Sequence, residues 1–223
     1  MVIRAEEADT VQALQGLASS SSSVRLRAAL AVGTAADSRC VDALIERCAV
    51  EPDFHVRDML TWALTRLPAS VTVPKLVDEL GSECAQARSQ ALHTLSKVGD
   101  RRAWPAITRA LLTDADEEVA RSAWRAAVVL VPEGGASGLA EVLATQLGRG
   151  GRETQLSLSR AVVALGEAVA IPVLRAPMAG PDPRVRQHAI ATERLVRDPD
   201  AGFGFAVEQA KRIMVLGASA REE

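Results

Sequence analysis

Apolar positions along this chain are spaced four, four and three residues apart, and the set itself returns after steps of 32, 31, 33, 34 and 31 residues. With Val24 as position zero, position four is Ala28, Leu60, Ala91, Trp124, Leu158 and Ala189. Position eight is Val32, Leu64, Leu95, Val128, Val162 and, as the exception, Glu193; position eleven is Ala35, Leu67, Val98, Val131, Leu165 and Val196. Such spacing lines one face of an α-helix, where a strand would alternate by two. Position twelve holds a breaker in four units, Pro68, Gly99, Pro132 and Gly166. Proline lacks the N–H and glycine tolerates left-handed dihedrals.

A second helix follows in each unit. Position eighteen is Pro74, Pro105 and Pro172 in three units, which fits a first helical turn, where the missing N–H is no loss. Two residues on, Leu44, Leu76, Ile107, Ala140, Leu174 and Phe205 form its inward face. Residues 4–18 carry Val11, Leu14 and Leu17 at helical spacing and predict a capping helix; Ser19 to Ser23 form a polar turn. The units are then 24–53, 56–86, 87–117, 119–152, 154–182 and 185–217. A period of this length means stacked supersecondary units, here one architecture over residues 1–223.

Each unit opens on one phrase: Val24-Arg25, Val56-Arg57, Ala87-Arg88, Ala120-Arg121, an altered Thr154-Gln155, and Val185-Arg186. In two units an Asp stands three residues ahead, Asp53-Phe54-His55-Val56-Arg57 and Asp182-Pro183-Arg184-Val185-Arg186; Asp116-Glu117-Glu118-Val119-Ala120-Arg121 is a stretched form. This signature resembles the HEAT repeat family, most closely its PBS-lyase type. The resemblance implies an all-α, right-handed α-solenoid of about six HEAT-like helix pairs plus an N-terminal capping helix. It also implies a concave and a convex face, and a structural role for the Asp and the Arg. It says little about function, because such repeats serve many unrelated tasks.

Composition sharpens this picture. Hydrophobic residues make up 48% of the 223, aromatics only 3%, and Tyr is absent; an Ala, Leu and Val interior suits close-packed helices. A net charge of −2 argues against a general nucleic-acid or anionic-membrane binder. Cys40, Cys48 and Cys84 are odd in number and lack CxxC spacing, which predicts reduced, buried thiols. The start of the chain has no signal-like apolar run and no stretch is long enough to span a membrane, so a cytoplasmic protein is expected.

The motifs of catalysis are missing. His55, His93 and His188 fall in three units without HExxH or a neighbouring Cys cluster, so no metal or other cofactor is expected. Gly148-Arg149-Gly150-Gly151-Arg152 lacks phosphate-loop spacing and reads as a flexible turn. Among enzymes, a HEAT-like DNA glycosylase is the alternative; it requires aromatic walls beside a carboxylate and a basic groove. Trp62, Trp104 and Trp124 with Asp58 or Asp114 are the raw material for it. Trp124 and Trp104 sit at core positions; Trp62, at position six, is expected at the surface.

The second helices offer another surface. With positions seventeen, twenty and twenty-four inward, nineteen, twenty-two and twenty-three would line the concave groove. These include Glu46, Arg47, Lys75, Asp78, Glu79 and Arg109 in the first three units, then Val142, Leu143, Val173 and Ala176. A groove polar at one end and apolar at the other suits a partner helix or extended segment; a one-residue shift of the fourth unit would instead bury Leu143. The expected function is a non-enzymatic protein-interaction scaffold, in a bacterial regulatory setting that the Ala/Arg/Val-rich composition suits. Glu46, Lys75, Asp78, Glu79, Arg109, Val142, Val173 and Trp62 are the candidate partner-binding residues, and self-association through the apolar half is a variant.

Overall fold

The computed structural model describes residues 11–198; residues 4–10 of the expected capping helix, Phe205 and the rest of the sixth unit's second helix lie outside them. Every element among the described residues is helical. The chain divides between Ile107 and Thr108 into two compact units.

In the first unit, residues 11–17 are helical and pack through Gly16, where a Cβ would meet the Ala28 Cβ at 2.9 Å. Helix α1 (Ser22–Ala35) and α2 (Val41–Val50) form one pair, α3 (Phe54–Arg66) and α4 (Ala69–Glu79) the next, and α5 (Ala85–Val98) leads into a 3-10 turn (Arg101–Ala106). Helices α1, α3 and α5 stack as one layer, with α2 and α4 as the other. The second unit repeats the plan: α6 (Arg109–Leu112), α7 (Glu117–Leu130), α8 (Ala136–Ala144), α9 (Arg152–Ala164), α10 (Glu167–Ala179) and α11 (Pro183–Arg197). Five helix pairs and the first helix of a sixth are therefore described.

Position four is buried in all six units, as its spacing requires, with Leu60, Trp124 and Ala189 at 0% exposure. Position twenty is equally enclosed in Leu44, Leu76, Ile107, Ala140 and Leu174. The breakers work as expected: Gly99 ends α5 in the left-handed region, and Pro68 and Gly166 precede α4 and α10.

Three features differ from expectation. Pro74 and Pro172 do not open the second helices but lie inside α4 and α10, which start directly after Pro68 and Gly166. Both prolines are exposed, so their rings and the carbonyls they leave unpaired meet water rather than core. In the third pair, Pro105 falls in the 3-10 turn, and the second helix is reduced to the four residues of α6 behind the Thr108 cap. The fourth unit is out of register by one: measured from the helix cap, Val119 rather than Ala120 corresponds to Val56 and Val185. Leu143 is accordingly buried, at 0% exposure.

Candidate functional site

The recurring phrase turns out to seal the turn before its own helix. Asp53, Asp116 and Asp182 cap α3, α7 and α11, each carboxylate accepting two backbone N–H groups of the first turn, from His55 and Val56, Glu118 and Val119, and Arg184 and Val185. Two residues before the cap, a side-chain oxygen accepts the cap residue's own N–H. Ser19 receives it from Ser21, Glu51 from Asp53, Ser82 from Cys84, and Asp114 from Asp116. The Arg four residues into the helix reaches back to the turn carbonyls. Arg25 donates to Ser19 and Ser20, Arg57 to Glu51 and Pro52, Arg88 to Ser82 and Glu83, and Arg186 to Gly180. These are charge-assisted bonds to backbone oxygens that would otherwise face water or nothing.

The two departures from the phrase are explained by the same geometry. Gln155 stands where the Arg belongs and its Nε2 donates to Gly150 O at 3.3 Å, a shorter neutral version of the clamp. Arg121, displaced by the register slip, faces Glu118 and Glu153 instead. The carbonyls of Asp114 and Ala115 are taken by Arg149 from the following turn. The Gly-rich loop is therefore a seat and not a phosphate cradle: Arg149 is engaged, and a Cβ on Gly150 would lie 2.8 Å from Thr154 and 2.9 Å from the Glu117 carboxylate.

Two buried polar clusters escaped the sequence reading. In the first unit Glu51, at 0% exposure, receives two bonds of 2.7 Å from Arg25, a bond of 2.8 Å from Arg47 Nε, and the Asp53 N–H. Burial opposes its charge, but the Arg25 and Arg47 guanidiniums and the Asp53 N–H prevail and hold the carboxyl down at about 2. In the second unit His188, at 1% exposure, accepts the Gly148 N–H at Nδ1, 3.0 Å away. Its Nε2 therefore carries the proton and lies 3.0 Å from both Gln155 O and Ser159 Oγ. Ser159 in turn bonds Thr192 at 2.7 Å. Burial keeps this ring neutral and lowers its pKa to about 4. Ser159 and Thr192 match the pair Thr61 and Thr94 of the first unit. An alignment centred on the turns, not on the helices, would have exposed the oxygen-bearing position that Glu51 fills.

The candidate surface residues divide between the units. Glu46 and Asp78 are exposed on α2 and α4, Lys75 pairs with Asp42 across these helices, and Glu79 is half-buried at a small cavity between Ile45, Leu76 and Thr94. Arg47 is drawn inward by Glu51. Arg109 is exposed at the start of α6; Val142 and Val173 are half-buried on α8 and α10. Trp62 lies on α3, in the first-helix layer, at 38% exposure. Trp124 is enclosed, its indole N–H on Leu112 O at 2.8 Å, while Trp104 is half-buried. Cys40 and Cys48 are buried free thiols, but Cys84 is exposed, beside the turn and not under it. Burial pushes the Cys48 thiol up to about 12, so it is inert as a nucleophile. No helix among the described residues is long and apolar enough to cross a membrane.

The fold and the turn geometry define an all-α helical-repeat protein. Residues 9–83 match the family model for HEAT repeats, so that stretch of the chain is HEAT-like. No curated protein is similar enough to match it. Among solved structures it is similar to an engineered protein, at 18% identity and a TM-score of 0.48, covering 87% of this chain and 99% of that one. It is also similar to the complex of CpcE and CpcF of phycocyanin lyase from Nostoc sp. PCC7120, at 21% identity and a TM-score of 0.48, covering 90% of this chain and 86% of that one.

Proposed function

We propose that this helical-repeat scaffold is non-enzymatic and binds a partner polypeptide along the faces of its second helices. The observation that carries the reading is a division of labour. The side chains that recur from unit to unit are engaged in the turns, as Arg25, Arg57, Arg88 and Arg186 are on backbone carbonyls. The second-helix positions instead change in character between units and stay at the surface: Glu46, Lys75, Asp78 and Glu79 in one, Arg109, Val142 and Val173 in the other. Varied, at least partly accessible side chains on a recurring frame are what selective recognition requires. The exposed free thiol of Cys84 suits a reducing compartment, in keeping with a cytoplasmic, regulatory role.

The test is affinity capture followed by mass spectrometry, using the full chain beside two variants, Glu46→Lys/Asp78→Lys and Val142→Asp/Val173→Asp. The proposal expects each variant to keep its helical content and to lose partners that the parent retains. Capture of the same set by all three would refute second-helix recognition. Loss of self-association alone in the Val variant would assign that face to a second copy of the chain.

A further inference from the structure

A separate surface lies on the opposite layer of the first unit. The indole of Trp62 rests on Gly33 of α1: a Cβ there would come 2.5 Å from Trp62 Cζ3. Leu30 is one turn from Gly33 on the same helix face and is 46% exposed. Two threonines flank this pair, and each has turned its hydroxyl onto its own helix, Thr34 onto Leu30 O at 2.8 Å and Thr65 onto Trp62 O at 2.7 Å. Trp is costly to leave in water and enriched where interfaces concentrate their energy.

The charges around the strip are selective. Most guanidiniums of the first unit are bound: Arg25 and Arg47 to Glu51, Arg39 to Asp37, Arg102 to Asp100, and Arg57 to turn carbonyls. Arg27, Arg66 and Lys97 have no ion pair among the described residues. All three are exposed: Arg27 stands one turn from Leu30 on α1, Arg66 one turn from Trp62 on α3, and Lys97 on the next helix of the same layer, α5. Asp58, one turn before Trp62, is the one acid in α3. The second-helix layer of the same unit has the reverse character, with Asp42, Glu46 and Asp78 exposed. We infer that the Leu30–Trp62 strip is a docking surface for an acidic amphipathic protein segment. Its apolar side chains would cover the indole, and its carboxylates would meet Arg27, Arg66 and Lys97. The surface is independent of the second-helix faces and so of the function proposed above.

The experiment titrates the full chain with two fluorescein-labelled synthetic amphipathic helices that share one Leu/Phe pattern, with Glu at every polar position of the first and Lys in the second. Binding is followed by anisotropy. The Glu peptide should bind, with affinity falling as salt rises, and the Lys peptide should not. Arg66→Glu/Lys97→Glu, which alters only exposed side chains, should weaken the Glu peptide about tenfold or more, and Trp62→Ala should do the same. Val142→Asp/Val173→Asp should leave this titration unchanged, which separates it from the second-helix proposal. Equal binding of both peptides, or full binding by the charge variant, would overturn the inference. So would tighter binding of a single-stranded oligothymidylate lost with Trp62→Ala, which would assign the strip to nucleic acid.

Discussion

The two compact units solve one problem in opposite ways. Each buries polar groups where one repeat meets the next. The first unit does it with charge, setting Glu51 between Arg25 and Arg47. The second does it without, letting a neutral His188 accept the Gly148 N–H and join Ser159 and Thr192. A buried carboxylate is tolerable only if its lone pairs are filled, and Glu51 has them filled by two guanidiniums and a backbone N–H. A buried imidazole is tolerable only while neutral, since a second proton would place a donor against the Gly148 N–H. Helix pairing does not dictate the chemistry of the junction; it requires only that the junction be satisfied.

The largest loss is expected at Glu51. Glu51→Gln leaves Arg25 and Arg47 without a counter-charge in a closed site and should cost about 3–5 kcal/mol, seen as a fall in the urea midpoint. His188→Ala removes the acceptor of Gly148 and opens a cavity, for about 2–4 kcal/mol, and should act on the second unit. Trp124, read in a Trp62→Phe/Trp104→Phe background, reports that unit alone. Gly33→Ala forces a methyl onto the Ala63 backbone at 2.8 Å and should cost about 1–3 kcal/mol by overpacking. Gln155→Arg should restore the clamp on the Gly150 carbonyl and stabilise by at most about 1 kcal/mol.

Acid should separate the units. The His188 pKa is lowered in the fold to about 4, against an ordinary ~6.5. The unfolded chain therefore takes up the proton first, and the second unit loses stability as pH falls from about 6.5 to about 4. The Glu51 carboxyl is also lowered, to about 2. Its contribution is complete above the ordinary carboxylate range and disappears only as pH falls from there through about 2. Trp124 fluorescence in urea should thus show weakening in mild acid that His188→Ala abolishes. A pH dependence that survives that substitution would contradict a neutral, buried His188 as its source.

Much of this was legible from the residue pattern. Position four marks the core in every unit because a helix face cannot be buried without repeating the 3.6-residue period. Trp62 was legible as a surface residue for the same reason, since position six also holds His93 and Arg160. What stayed hidden were partners far apart in sequence. Arg149 serves a turn some thirty-five residues behind it, and Glu51 gathers Arg25 from the opposite end of its own repeat, 26 residues away. The internal prolines misled because Pro74 and Pro172 suit a first turn as well as a solvent-facing position inside a helix. The fourth unit's slip was masked by alanine, which is buried at both Ala120 and Ala123 and so fits either register.

The recurring arginines clamp the turns of their own repeats. Thermal unfolding of Arg57→Ala/Arg88→Ala tests this most directly, because both side chains reach two backbone carbonyls of their own turns. The melting temperature should fall several degrees below that of the parent chain. An unchanged melting temperature would show that these guanidiniums hold nothing in the fold.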